Sequence, residues 1–434
     1  MLWMTAVFAL VPSVQVPYVP VSSVWADWPA FLGGTQRDKV EVQLPLEWSP
    51  RSGIAWQVDL PGHGQSSPVQ VGRQVYLTAI EGPNKESNLV IALDLASGQQ
   101  LWRHQSASSL QVKNEVYTSR AAPTPVADAE GVYAFFESGD LVALDPAGKV
   151  RWQRALIDDY GKYAGRFGLG GSLAQLQDRV FVLADNEGPS YLLAIDKKSG
   201  ETIWKSDRAS RTAWSSPMIL HVGGQPQVVV SSGGSIDGYD PGSGKLLWSF
   251  EEVGGNTVAS PLPFGDGKFL VGASPGRNGE NSAGAKKSNM AVQVVRQGET
   301  FKPTILWRNE QATSSFGSPI VHAGHAYYTN RSGVLYCLDA ESGRTAYTAR
   351  LAESNWATPV GIRDRVYFFG KSGTTTVISS GKDENVLAEN LLWNPTGGGG
   401  PGRFAGEIQY GVAVTGAGLL VRTGSRLFLI AKEG

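Results

Sequence analysis

Eight short stretches hold most of the side chains that could bind or transform a ligand. Each lies just ahead of a recurring strand start, in most copies a small-residue–Pro pair such as Ser67-Pro68, Ser216-Pro217 or Thr358-Pro359. Together they supply the ligand-binding candidates Arg120, Trp214, Asn256, Asn355, Trp356, Glu407 and Tyr410, with Phe316 beside them. Trp214 or Trp356 could form the floor for a planar ligand. Glu407 with Asn256 could offer the oxygen donors that a hard cation prefers. None of these residues has the spacing of a metal site, and facing segments would have to bring them together. The first expectation is therefore a polar, water-filled mouth with an aromatic rim, with no catalytic residue and no metal ligand assigned.

The remaining chemical signals are thin. His322 and His325 are separated by Ala323-Gly324, which reads as a hairpin turn, and no third ligand lies nearby. Gly397–Gly400 followed by Pro401-Gly402 lacks the Lys-Ser/Thr pair of a phosphate-cradling loop and reads as an inter-strand loop. No nucleophile-elbow motif supports Ser-His-Asp catalysis. The single cysteine, Cys337, sits in a strand pattern and reads as a small buried residue. One cysteine also rules out an intramolecular disulfide framework or a Cys-rich metal site.

The elements that must position these residues come from a repeat. One unit recurs: a small residue and Pro, an apolar strand, a second strand rich in Val, Tyr and Phe, then apolar-Asp-x-x-Ser-Gly, then apolar-Trp. Ala92-Leu93-Asp94, Ser97-Gly98 and Leu101-Trp102 show its second half; Ala194-Ile195-Asp196, Ser199-Gly200 and Ile203-Trp204 repeat it. The aromatic anchors stand at Trp56, Trp102, Trp152, Trp204, Trp248, Trp307, Tyr347 and Trp393, about 48 residues apart. Ile54 to Gly434 holds room for eight such units. Each unit offers about four strands of period 2, and one such sheet cannot bury both faces by itself. The pattern predicts an all-β fold, an eight-bladed β-propeller of four-stranded blades. The strand around Trp56 has no unit of its own and the last unit lacks a strand, so the N-terminal strand is expected to close the ring. The repeated Trp and Asp-Ser-Gly residues are assigned to packing and turn capping, not chemistry.

Composition agrees. Of 434 residues, 53 are Gly and 24 Pro, and aromatics make up 10%, which suits many tight turns between short strands. Lys and Arg number 38 against 39 Asp and Glu, so the net charge of −1 argues against a nucleic-acid partner. Residues 1–26 carry no charged side chain before Asp27 and begin with an apolar run to Val11, which reads as an export signal. Pro12, Pro17 and Pro20 prevent that stretch from spanning a bilayer as one helix. No apolar run of spanning length follows. Residues 27–53 form a Pro-containing lead-in and 54–434 the propeller. The stretch 274–288, rich in Gly, Asn and Lys, reads as a mobile loop.

The segment Ala92-Leu93-Asp94-Leu95-Ala96-Ser97-Gly98-Gln99-Gln100-Leu101-Trp102 resembles the repeat of the pyrroloquinoline-quinone (PQQ)-like β-propellers, and the likeness extends over about residues 54–434. That family includes quinoprotein alcohol dehydrogenases and the non-enzymatic propeller scaffold of the outer-membrane barrel-assembly machinery. The opening Trp28-Pro29-Ala30-Phe31-Leu32-Gly33-Gly34 looks like the lead-in of exported bacterial members. The enzymes of the family use PQQ with Ca²⁺ and an aspartate base, many also carry adjacent cysteines over the ring, and this chain has only Cys337. The resemblance implies an exported, non-enzymatic module that binds a protein or small-molecule partner in the cell envelope, with no cofactor. The alternatives are a PQQ- and calcium-dependent oxidoreductase and a binder of envelope polysaccharide. Fold alone does not decide among them.

Overall fold

The structure is a computed structural model that describes residues 27–39, 42–255, 258–276, 282–394 and 407–432. The leader 1–26, Asn256 and the Gly397–Gly402 loop lie outside the described residues. No helix among the described residues is long and apolar enough to cross a membrane.

Alternating Val, Ile, Leu and Tyr segments joined by Gly turns pair antiparallel into eight four-stranded sheets. Blades 1 to 7 span residues 69–107, 126–155, 174–208, 218–253, 262–308, 320–350 and 360–391, each with its strands in chain order. Blade 8 takes Gln409–Thr415, Gly418–Thr423 and Arg426–Ile430 from the end of the chain and Ile54–Asp59 from its beginning. There Trp56 pairs with Leu429 and Val58 with Leu427, so the N-terminal strand closes the ring as the repeat arithmetic requires.

Neighbouring blades bury their faces on each other. Tyr133 and Phe135 of blade 2, for example, pack on Val182, Leu193 and Ile195 of blade 3. Each such side chain contributes about 1.5–3 kcal/mol when fully buried.

The repeated Trp and the Asp-x-x-Ser-Gly turn form one joint between blades. The Asp carboxylate accepts the Ser backbone N–H at 2.9 Å in Asp94–Ser97 and 2.7 Å in Asp196–Ser199. The turn glycine adopts positive φ, +70° at Gly98 and +75° at Gly200. The Trp that ends one blade lies against the turn of the next. Its Nε1 donates to a turn carbonyl: Trp56 to Leu95, Trp102 to Pro146 and Trp152 to Lys197, each at 2.9 Å, and Trp204 to Pro241 at 3.0 Å. Blade 5 lacks the Asp-Ser-Gly turn, and Trp248 donates instead to Gln227 of its own blade at 2.6 Å.

One segment departs in part from the sequence expectation, and the lead-in takes a defined place on the ring. Part of the stretch 274–288 is a short helix, Ser282–Lys287, whose Gly284 and Ala285 pack against Gly254 and Gly255. The lead-in crosses one end of the channel. Trp28 exchanges backbone hydrogen bonds with Gln70 at 2.9 and 2.8 Å, and Pro29 accepts from the Ala127 N–H at 2.9 Å. The 3₁₀ segment Phe31–Lys39 then packs on the innermost strands of blades 3, 4 and 8. Further on, Asn390 of blade 7 accepts the Trp48 N–H and donates to the Leu46 carbonyl, both at 2.9 Å.

Candidate functional site

The stretches ahead of each strand start meet around the propeller axis in two stacked rings. The first ring is Ser67, Thr124, Ser172, Ser216, Ser260, Ser318, Thr358 and Val412, one residue per blade, all lining the axial cavity. Seven of the eight carry a hydroxyl. The backbone N–H of each donates to the hydroxyl of the next blade, from Ser67 to Thr124 and onward to Thr358, at 2.8–3.0 Å. The hydroxyl at the strand start is therefore an acceptor for a neighbouring blade, which otherwise would leave a buried N–H without a partner. Val412 cannot continue the belt. At that seam Gly411 lets blade 1 approach closely, since a Cβ there would stand 2.6 Å from the Ser67 Cα.

Two residues upstream lies the second ring: Gln65, Ala122, Gly170, Trp214, Val258, Phe316, Trp356 and Tyr410. Between the rings is a cavity of about 150 Å³, with Phe31 and Leu32 of the lead-in in its wall.

The candidate residues divide between this mouth and its surroundings. Trp214 lines the cavity, donates through Nε1 to the Gly168 carbonyl at 3.1 Å, and meets Phe167 edge-on with centroids 5.9 Å apart. Across the mouth Trp356 packs 4.8 Å from Phe316 and 6.3 Å from Tyr410, and the Lys371 ammonium lies 5.3 Å from its ring centre. Arg120 donates through Nη2 to the Tyr410 hydroxyl at 3.0 Å. Asn355 is 2% exposed, and neither amide atom has a hydrogen-bond partner. Glu407 is elsewhere: it accepts from Arg426 Nε at 2.8 Å and from the Thr423 hydroxyl, and it is not part of the cavity wall. The structure thus brings Arg120, Trp356 and Tyr410 together, sets Trp214 opposite, and separates Glu407 from them. Asn256 is outside the described residues. His322 and His325 face each other across a hairpin, as the sequence suggests.

Two residues at or beside the mouth, His63 and Arg422, are not among the sequence candidates. His63 meets Tyr410 edge-on at 6.0 Å. Burial, then the charges of Arg120 and Arg422, pull its pKa down to about 3, so the imidazole is neutral at pH 7. Arg422 is fully buried and donates to the Ser66 carbonyl at 2.9 Å, the Thr78 carbonyl at 2.6 Å and the Ser66 hydroxyl. Burial lowers its pKa to about 9. His63 was findable from its place in a mouth stretch. Arg422 gives no signal, because it sits inside an apolar strand run.

These residues do not fit a PQQ–calcium pair. Among the described residues the cavity wall contains no carboxylate, Glu407 is committed to Arg426 and Thr423, and no three His, Cys, Asp or Glu converge. The wall supplies aromatic faces, hydroxyls and one amide, which suits binding by stacking and hydrogen bonds.

The family model described as outer membrane protein assembly factor BamB matches residues 47–168, 162–349 and 293–427. Curated relatives include the outer membrane protein assembly factor BamB of Alkalilimnicola ehrlichii, 24% identical over 48% of this chain and 49% of that protein. The same factor of Moranella endobia is 26% identical over 46% of each. A polyvinylalcohol dehydrogenase of a Pseudomonas species is 25% identical over 44% of this chain and 30% of that enzyme. The chain thus spans half or less of the length of the curated relatives it matches. Among solved structures, BamB from Moraxella catarrhalis superposes with a TM-score of 0.60 at 13% identity, covering 88% of this chain and 97% of that one. The quinohemoprotein alcohol dehydrogenase of Comamonas testosteroni gives 0.59 at 13% identity, covering 94% and 81%. At such identities these two establish the fold alone.

Proposed function

Because the chain belongs to the family of the outer membrane protein assembly factor BamB, we propose that it is a non-enzymatic, exported propeller that binds a partner in the cell envelope through the aromatic mouth. The observation that carries this reading is the make-up of the mouth ring. It holds Trp214, Phe316, Trp356 and Tyr410 among small residues and the amide of Gln65, with no carboxylate among the described residues. Aromatic side chains with few rotatable bonds are the residues that anchor partners, and large exposed ones mark binding faces. Phe316 is 39% exposed and Phe167, beside Trp214, 40%. The leader 1–26 supports export to the periplasm or envelope.

The test is capture of envelope proteins from cells expressing the full chain, comparing it with the double variant Trp214→Ala, Trp356→Ala. Retention of an envelope protein by the parent and its loss in the variant, with the chain itself fractionating with the envelope, is the expected result. A cytoplasmic chain, or capture indifferent to both substitutions, overturns the reading. The rival oxidoreductase reading leans on the similarity to the polyvinylalcohol dehydrogenase. Saturable quenching of Trp fluorescence by PQQ with Ca²⁺ at a one-to-one ratio would favour it.

A further inference from the structure

We propose that the mouth between blades 8, 1 and 2 contains an anion site that takes a carboxylate. The inference rests on reading the mouth as a binding face. Its starting point is two guanidinium groups without counter-charges among the described residues. Arg120 is half-buried and Arg422 fully buried. Their hydrogen bonds go to the Tyr410 hydroxyl, the Ser66 and Thr78 carbonyls and the Ser66 hydroxyl, all uncharged. Two acidic side chains of the same region are already taken: Glu137, which accepts the N–H of Ala121 next to Arg120, pairs with Lys85, and Glu407 pairs with Arg426. Elsewhere the fold behaves differently. Buried Arg208 sits between Asp185 at 2.8 Å and Asp237 at 3.0 Å.

Hydrogen-bond accounting leads to the same place. Nε of Arg120, Nε of Arg422 and Nε2 of His63 are all buried, and none has a partner among the described residues. The space is moulded around two of these groups. A Cβ on Gly64 would run into the Arg422 guanidinium, and one on Gly424 into the His63 ring. A buried cation without a counter-ion is costly, and a bound anion offsets that cost through charge-assisted hydrogen bonds. Arg120 stands behind the wall of the 150 Å³ cavity, bonded to two residues that line it, Tyr410 and Gln65. Beside them stands Trp356, 6.3 Å from Tyr410. Arg120, the less buried of the two guanidinium groups, beside aromatic faces suits a monoanion with an apolar body, so a carboxylate fits better than a phosphate. Its source is either a small free carboxylate or the C-terminus of a peptide.

The test uses the full chain in chloride-free buffer, followed by thermal unfolding and Trp fluorescence. The probes are sodium benzoate, sodium phosphate, and Ala-Ala-Ala-Phe as free acid and as amide. Benzoate or the free-acid peptide is expected to raise the unfolding midpoint and change the fluorescence saturably, with the amide inert. Preference for the peptide acid assigns the site to a chain terminus, and preference for benzoate to a small molecule. Arg120→Gln and Tyr410→Phe should each weaken binding about tenfold or more, as expected when a charge-assisted bond is lost. A non-saturating response shared by phosphate, or equal binding by Arg120→Gln, overturns the proposal. Partner capture that depends on Trp214 and Trp356 would in that case still stand, so the two readings fail separately.

Discussion

The indole of Trp102 lies against the backbone of Gly148 in the following blade, so closely that a Cβ on Gly148 would stand 2.6 Å from the ring. The same glycine has φ +84°, and the Trp102 Nε1 donates to Pro146 in the same turn at 2.9 Å. This contact recurs at Gly98 with Trp56, Gly200 with Trp152 and Gly343 with Trp307. It explains why Trp and Ser-Gly keep step along the chain. Gly148→Ala combines positive-φ strain with a steric clash, so a loss of about 2–4 kcal/mol is expected. Urea denaturation checks it, and a change below 1 kcal/mol would show that the joint is slack.

The hydroxyl belt gives a second expectation. Ser216 is 4% exposed and its hydroxyl accepts the Ser172 N–H at 2.9 Å. Ser216→Ala leaves that N–H unsatisfied, at about 1–3 kcal/mol. Ser216→Thr retains the acceptor and should recover most of it. Equal stability of the two variants would remove the belt as an explanation of the strand-start motif.

The lead-in is part of the fold. Trp28 is 2% exposed and packs in the core cluster that also holds Leu44, Trp48 and Val412. Trp28→Ala should lose about 3–5 kcal/mol by leaving a large void. Faster exchange of the Gln70 and Ala127 amides, which share hydrogen bonds with Trp28 and Pro29, should accompany it. Unchanged protection of both amides would contradict the docking.

The turn carboxylates set a pH dependence. Backbone and side-chain hydrogen bonds from Ser199 hold the Asp196 pKa below its ordinary value of 3.8. Hydrogen bonds from Ser342 do the same for Asp339. A depressed folded-state pKa stabilises the protein above the unfolded value, and the contribution is lost as pH falls through the folded value. Stability should therefore decline below about pH 4. Asp196→Asn should be less stable at pH 7 and show a shallower decline in acid. A parallel pH profile in the variant would refute the assignment.

Cys337 is completely buried, its Sγ lies 3.5 Å from the Gly381 carbonyl, and burial pushes the thiol pKa up to about 11, against opposing hydrogen bonds with Tyr347 and Tyr327. Thiolate is the reactive form. At pH 8 a disulfide reagent should label the native chain no faster than it unfolds, and rapid labelling would show a local opening of blade 6.

Much of this was legible in the sequence because it is local and repeated. The Asp-x-x-Ser-Gly turn is closed by bonds three residues apart, as from the Ser97 N–H to Asp94. The Trp anchors mark each blade end, and the unmatched strand at Trp56 announces the closure. Eight units, four strands each and the N-terminal seam follow from period and length. Trp214, Trp356 and Tyr410, in stretches readable from the repeat, line the axial cavity. The tertiary structure alone decided what each mouth residue meets. Arg422 bonds to Ser66 across 356 positions of sequence, and Arg120 to Tyr410 across 290. Glu407 turned away to Arg426, and the lead-in came to lie over one end of the channel. The partners of Arg422 and Arg120 are set by the closing of the ring, which brings the first and last blades side by side, whereas Glu407 and Arg426 meet within blade 8. Period and turn chemistry specify each blade, but contacts across the seam between blades 8 and 1 arise only when the circle is complete.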